Sequence, residues 1–228
     1  MSPHLSENSG ADAALAAAKK SLRHEVRARL RALGPVDAEL SQRTCDRLSR
    51  SALFDGARCV SLFRGMASEP RLDALEAALA ARGVRVCYPR VQPGVRLLAF
   101  HLGGQFAPGA LSIEEPHEDS ERVAPEEIDV FVVPALALDR EGNRLGHGRA
   151  HYDATLALAE GALRIGVVRD AALVPAVPVG EHDQPLDVLC TESQLLFCPV
   201  RGGAAEASTR ALSAGRDAQA ARAAKTGL

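Results

Sequence analysis

The chain has 228 residues, 46% hydrophobic and 25% charged, with a formal net charge of −2. That length and balance suit one globular domain with short tails. They argue against a global field that would draw the chain to nucleic acid or an anionic membrane. Aromatic residues make up 4% and Trp is absent, which disfavours a base-stacking platform.

Residues 1–11 are small and polar, the composition of a disordered N-terminus. Residues 12–33 place Leu15, Leu22, Val26, Leu30 and Leu33 at helical spacing opposite a basic face, and Gly34-Pro35 stops the helix. Residues 37–52 predict a second amphipathic helix through Leu40, Cys45 and Leu48. Residues 58–63 then read as a strand, 69–82 as a helix with Pro70 near its first turn, and 84–88 as the next strand. This strand–helix–strand order implies a parallel crossover. A strand follows at 97–101, and 102–128 is mostly loop. Residues 129–134 are almost continuously apolar, as buried parallel strands are. A helix over 149–160, a strand at 164–168 and a short strand near 188–189 complete the pattern. The Ala-, Gly-, Ser- and Arg-rich segment 200–228 reads as a disordered or weakly helical tail.

The expected fold class is α/β: a three-layer α/β/α domain over 12–199, with a mostly parallel sheet and extra N-terminal helices. In such sheets ligands sit beyond the carboxyl ends of the strands. The loops after Phe63, Tyr88 and Pro134 therefore carry the search for a site. The five cysteines show no C-x-x-C pair and no zinc spacing, which reads as reduced, buried thiols. The Ala run at 13–18 precedes its lysines and is too short for a membrane span, so a cytoplasmic protein is expected. A monomer acting on a small molecule, with no nucleic-acid or membrane partner, is expected as well.

The loop after Pro134 is the most informative. It combines Gly146 and Gly148 with Arg144, His147, Arg149 and His151, and it leads into a helix. Backbone N–H groups beside glycines approach anions closely, and arginines add charge-assisted donors. The same pattern also suits a surface hairpin with solvated charges. It matches neither G-x-x-x-x-G-K-[ST] nor G-x-G-x-x-G.

The segment G-N-R-L-G-H-G-R-A-H-Y-D at 142–153 resembles the signature of the 5-formyltetrahydrofolate cyclo-ligase family, roughly G-x-R-L-G-x-G-x-G-Y-Y-D. Other similar stretches follow in order over about residues 15–195: Lys19-Lys20-Ser21-Leu22-Arg23, Phe63 to Glu69, Tyr88-Pro89-Arg90, Pro108 to Pro116 and Val177 to Glu192. The resemblance implies an ATP- and Mg²⁺-dependent ligase that turns 5-formyltetrahydrofolate into 5,10-methenyltetrahydrofolate, with ADP and phosphate released. In that chemistry the formyl oxygen attacks the γ-phosphate, N10 closes the ring and phosphate departs.

Carried over residue by residue, the resemblance assigns ATP contacts to Lys19, Arg23, Arg144, Gly146, Gly148 and Tyr152, and the cationic character of the loop adds His147 and Arg149. Among these, Arg149 and Tyr152 are the expected catalytic pair. The resemblance assigns Glu69 to the folate and Asp153 and Asp187 to Mg²⁺; Arg64 and Met66 beside Glu69 are expected on the folate side as well, and His151 at the folate or at a phosphate. Lys19 and Arg23 lie four residues apart on one helical face, so both could grip one polyphosphate. The departures cluster at the same place. Ala150 stands where the family has Gly, His151 where it has Tyr or Phe, His147 where Arg or Tyr is frequent, and Leu72 where Thr is frequent. They leave open a paralogue that binds folate and nucleotide without turnover, and a different phosphate-handling enzyme on a similar fold.

Overall fold

The computed structural model describes residues 4–109 and 113–199. The tail expected over 200–228 and residues 1–3 lie outside the described residues. Four α-helices occur among the described residues: α1 His4–Leu33, α2 Ala38–Ser49, α3 Asp73–Ala81 and α4 His151–Leu156. The strands are β1 Cys59–Ser61, β2 Arg85–Val91, β3 Leu98–Leu102, β4 Phe106–Pro108, β5 Glu114–Pro116, β6 Arg122–Val123, β7 Val130–Pro134, β8 Ala137–Leu138, β9 Arg144–Leu145, β10 Leu163–Val167, β11 Val188–Cys190 and β12 Leu195–Phe197.

The main sheet has eight strands in the order β12-β11-β10-β7-β1-β2-β3-β6. Its centre is parallel, from β11 through β10, β7 and β1 to β2. Both edges are antiparallel, because tight reversals join β2 to β3 and β11 to β12. Successive residues of the central strands point to opposite faces. Val130 and Val132 pack with Leu48 of α2 and Leu75 of α3, while Phe131 and Val133 pack with Val26 and Leu30 of α1 and Leu156 of α4. The three layers are thus α2 and α3, the sheet, and α1 with α4. The two N-terminal helices precede the first strand, and each supplies half of a covering layer. All five cysteines are free and buried. No helix among the described residues is long and apolar enough to cross a membrane.

Three element boundaries differ from the sequence reading. Residues 4–11, read as disordered, belong to α1. Once Val26 and Leu30 dock and nucleate the helix, it propagates through the Ala-rich stretch 13–18, and each further residue toward the N-terminus adds a hydrogen bond without a new nucleation cost. The helix expected from 69 begins at Asp73, because Pro70 disfavours helical geometry at Glu69. Glu69 instead closes a turn, its N–H donating to the Met66 carbonyl at 2.9 Å. Leu72 fills the N-cap of α3 without a side-chain cap and is buried with that layer, so its departure from Thr concerns packing rather than the site. Finally, the helix expected over 149–160 shrinks to six residues. So short a helix carries little macrodipole, and the anion-binding argument passes to side chains and loop amides.

Candidate active site

A cavity of about 240 Å³ opens at the carboxyl ends of β1, β2 and β7, where the sheet topology directs ligands. Phe63, Tyr88 and Pro134 line it, as do Lys19 and Arg23 of α1 and the run Arg144–Asp153. The loop after Pro134 folds back as the β8–β9 hairpin. Asp139 organises its tip: Oδ1 accepts from the N–H groups of Glu141 and Asn143 at 3.0 and 2.9 Å, and Oδ2 from Val177 N–H at 2.8 Å. Gly142 is obligatory there, since its φ is +89° and a Cβ would lie 2.5 Å from the Leu186 carbonyl.

Two further residues carry positive φ in the functional loop, Gly148 at +110° and Ala150 at +53°. The position where Ala replaces the expected Gly is left-handed, and it starts α4 without a side-chain cap. Left-handed geometry costs a non-glycine residue about 1–2 kcal/mol. Ala150→Gly is therefore expected to stabilise the fold by about 0.5–1 kcal/mol after the unfolded-state entropy of Gly is deducted. A thermal melt checks this, and a lower midpoint in the variant would contradict it.

Helix α1 braces the loop. Arg23 Nε donates to the Gly146 carbonyl at 2.9 Å and Arg27 reaches the His147 carbonyl at 3.4 Å. Lys19, one turn earlier on the same face, pairs with Asp183 on the cavity wall. Burial, and next the like charge of Arg27, lower the Arg23 guanidinium from its usual range. Both causes mark a place where added negative charge is favourable. Arg149 is exposed, lines the cavity and has no hydrogen-bond partner among the described residues.

Arg144 is buried and its guanidinium donates to Asp153 Oδ1 at 2.8 Å, beside the Tyr152 ring. Asp153 Oδ1 also accepts from Gln184 N–H at 3.2 Å. Tyr152 lines the cavity, while its hydroxyl is buried with no hydrogen-bond partner among the described residues. Burial raises that hydroxyl's pKa, so it stays protonated as a donor. His151 Nδ1 lies 2.9 Å from the Arg96 carbonyl, which can only accept, so Nδ1 carries a proton.

The residues expected at the folate divide. Glu69 is 7% exposed; its Oε2 accepts from Met66 N–H at 2.8 Å and its Oε1 from His147 Nε2 at 3.1 Å. His147 therefore turns its side chain to a carboxylate rather than to a phosphate, a correction to its assignment. Met66 lies outside the first cavity. It lines a neighbouring one of about 700 Å³ that shares the walls His147 and Arg149. Arg64 reaches the first cavity, yet its charge is engaged by Asp73 and Glu76, and its guanidinium lies 4.4 Å from the Phe106 ring centroid. It holds the wall instead of offering a free cation.

Of the two expected metal ligands, only Asp153 lines the cavity. Asp187 is 1% exposed and its Oδ2 accepts from the backbone N–H of Arg164 at 2.7 Å. Three further carboxylates line the cavity with Asp153: Glu114, Glu115 and Asp183, of which Asp183 stands in the same H-D-x-x-L-D motif as Asp187 and was passed over by the sequence reading. Its place in the loop before β11, outside the sheet's hydrogen bonding, was the available signal. The later Thr191-Glu192 pair is structural: Thr191 bonds Asp170, and Glu192 accepts from Asp170 N–H at 2.9 Å.

A mostly parallel sheet with a cavity at its carboxyl edge, walled by five Lys and Arg side chains and four carboxylates, defines an α/β enzyme that acts on a small molecule. Residues 15–192 match the family model described as the 5-formyltetrahydrofolate cyclo-ligase family. The chain belongs to that family. It is 31% identical over 178 residues to the 5-formyltetrahydrofolate cyclo-ligase of Escherichia coli strain K12, covering 75% of this chain and 98% of that one. It is 36% identical over 143 residues to the enzyme of that name from Mycolicibacterium smegmatis, covering 58% and 73%. The solution structure of the Aquifex aeolicus 5,10-methenyltetrahydrofolate synthetase superimposes with a TM-score of 0.67 at 27% identity, covering 79% of this chain and 93% of that one.

Proposed function

We propose that the chain is an ATP-dependent ligase that converts 5-formyltetrahydrofolate to 5,10-methenyltetrahydrofolate with release of ADP and phosphate. One observation carries the reading: in a member of this family, Lys19, Arg23, Arg149 and Tyr152 line one cavity, and His147 on its wall bonds the buried carboxylate of Glu69. The cations neutralise the triphosphate and the charge that develops as a phosphoryl group moves. Glu69 accepts hydrogen bonds from the pterin, which places the formyl oxygen toward the phosphate side. Tyr152 packs beside the Arg144 guanidinium on the cavity wall and so steadies the loop that meets the phosphates. The relatives from Escherichia coli and Mycolicibacterium smegmatis carry the ligase name, which favours turnover over a paralogue that only binds.

Mg²⁺ belongs to the same proposal. Asp153 and Asp183 stand on the cavity wall, each already bonded, to Arg144 and to Lys19 respectively. No group of three or more metal-ligating side chains gathers among the described residues. That donor set fits an ion held by one or two carboxylates, phosphate oxygens and water. When bound, it would supply further neutralisation of phosphate charge.

The direct test mixes the protein with 5-formyltetrahydrofolate, ATP and Mg²⁺ and follows methenyltetrahydrofolate absorbance. No product over a no-enzyme control would end the proposal. Lys19→Ala is expected to raise the KM for ATP about tenfold, equivalent to about 1.4 kcal/mol, with the folate KM within twofold. An unchanged ATP titration would remove Lys19 from the phosphate site.

A further inference from the structure

Arginine is almost never fully buried unless its charge is met by partners. Arg164 is 2% exposed and heads the fully buried side chains by volume. It sits mid-sheet in β10, on the face opposite to that used by Leu163, Ile165 and Val167. Any aliphatic residue would fill such a core position without the cost of burying a guanidinium.

What the guanidinium reaches is specific. Its Nη2 donates to the Leu156 carbonyl at 2.6 Å, the last residue of α4, three residues beyond Asp153. Its Nη1 donates to Gln184 Oε1 at 3.2 Å and to the Pro185 carbonyl at 3.4 Å. Gln184 in turn donates its N–H to Asp153 Oδ1 at 3.2 Å and directly follows Asp183, the partner of Lys19. The strand itself is tied to the same segment, for Asp187 accepts from Arg164 N–H and donates back to the Arg164 carbonyl at 2.9 Å. One side chain thus joins the end of α4 to the 183–187 loop, and each segment brings one carboxylate to the cavity.

We propose that Arg164 is a positioning residue for the triphosphate half of the site, acting through Gln184 to hold Asp153 and Asp183 at their cation partners. This rests on the reading of the cavity as the nucleotide site. The guanidinium bonds Leu156, Gln184 and Pro185, on the segments that carry Asp153 and Asp183, whereas Glu69 stands on the separate 66–69 turn, bonded to Met66 N–H and His147. Its loss therefore separates the two ligands: nucleotide affinity falls while folate affinity holds.

The experiment measures ATP and 5-formyltetrahydrofolate dissociation constants by calorimetry on the full chain, at a temperature where circular dichroism shows each protein folded. Arg164→Met is expected to weaken ATP about tenfold and folate less than twofold, in the range typical of residues supporting direct ligands. Arg164→Lys, which keeps a donor and the charge, is expected to recover part of that loss. Gln184→Leu removes only the acceptor on the loop and is expected to weaken ATP about threefold to fivefold, and it carries the test alone if Arg164→Met does not fold. ATP binding within twofold of wild type in the folded variants, or equal weakening of both ligands, would overturn the proposal. Failure of the wild-type chain itself to bind ATP would instead end the nucleotide reading on which it stands.

Discussion

Arg144→Met is expected to lower the melting temperature by about 6–12 °C and kcat/KM for ATP by about a hundredfold. The stability loss follows from burial. The Arg144 side chain is 5% exposed and its partner Asp153 17%. Removing one member of a buried pair strands the other and costs about 3–5 kcal/mol. Partial exposure of Asp153 puts this case near the lower end, about 3 kcal/mol, and a domain of this size melts about 2–4 °C earlier per kcal/mol. The kinetic loss has a separate origin. Arg144 stands at the start of the loop that carries Gly146, Gly148 and Arg149, and its release frees that loop and Asp153 together. The double variant Arg144→Met with Asp153→Asn provides the check, since coupled partners are not additive. If the double variant melted lower by the full sum of the two single losses, the pair would not be the source.

Glu69→Gln is expected to raise the folate KM by about two orders of magnitude while leaving the ATP KM within twofold. The substitution keeps the volume and removes the charge. Hydrogen bonds to a charged group contribute about 1.5–3 kcal/mol, and 2.7 kcal/mol is about a hundredfold in affinity. The amide also replaces an acceptor by a donor at one of the two positions now facing Met66 N–H and His147 Nε2. Steady-state kinetics with each substrate varied in turn gives the answer. An ATP KM that rises in step with the folate KM would sink the assignment of Glu69 to the folate side.

Much of the fold was legible because its periods are strong. The apolar run at 129–134 became the buried parallel strand β7, and the helical stripe through Val26 and Leu30 became the inner face of α1. The loop glycines pointed to the site, and the left-handed Ala150 confirmed that the family's Gly marks a backbone requirement. Other features were hidden. The motif H-D-x-x-L-D offers two aspartates four residues apart, and spacing alone does not choose between them. The start of β11 at Val188 decides: Asp187 is drawn into the sheet's bonding and Asp183 is left on the loop. His147 was read with the phosphates because its neighbours are cationic. Its bond to Glu69 joins residues 78 apart in the chain, which no local pattern encodes.

Local physics in the chain was enough to specify helices, buried strands, the glycine turns and the cationic loop, since each depends on residues within a few positions of one another. The partners of the charges were decided only when the sheet assembled. Lys19 meets Asp183, Arg144 meets Asp153 and Arg164 meets Gln184 because β10 pairs between β7 and β11, which brings the connection after β7 and the segment leading into β11 together on one face of the sheet. The physical reason is that a charge is satisfied by whatever lies within hydrogen-bond reach in space, and that reach is set by the topology of the sheet rather than by distance along the chain.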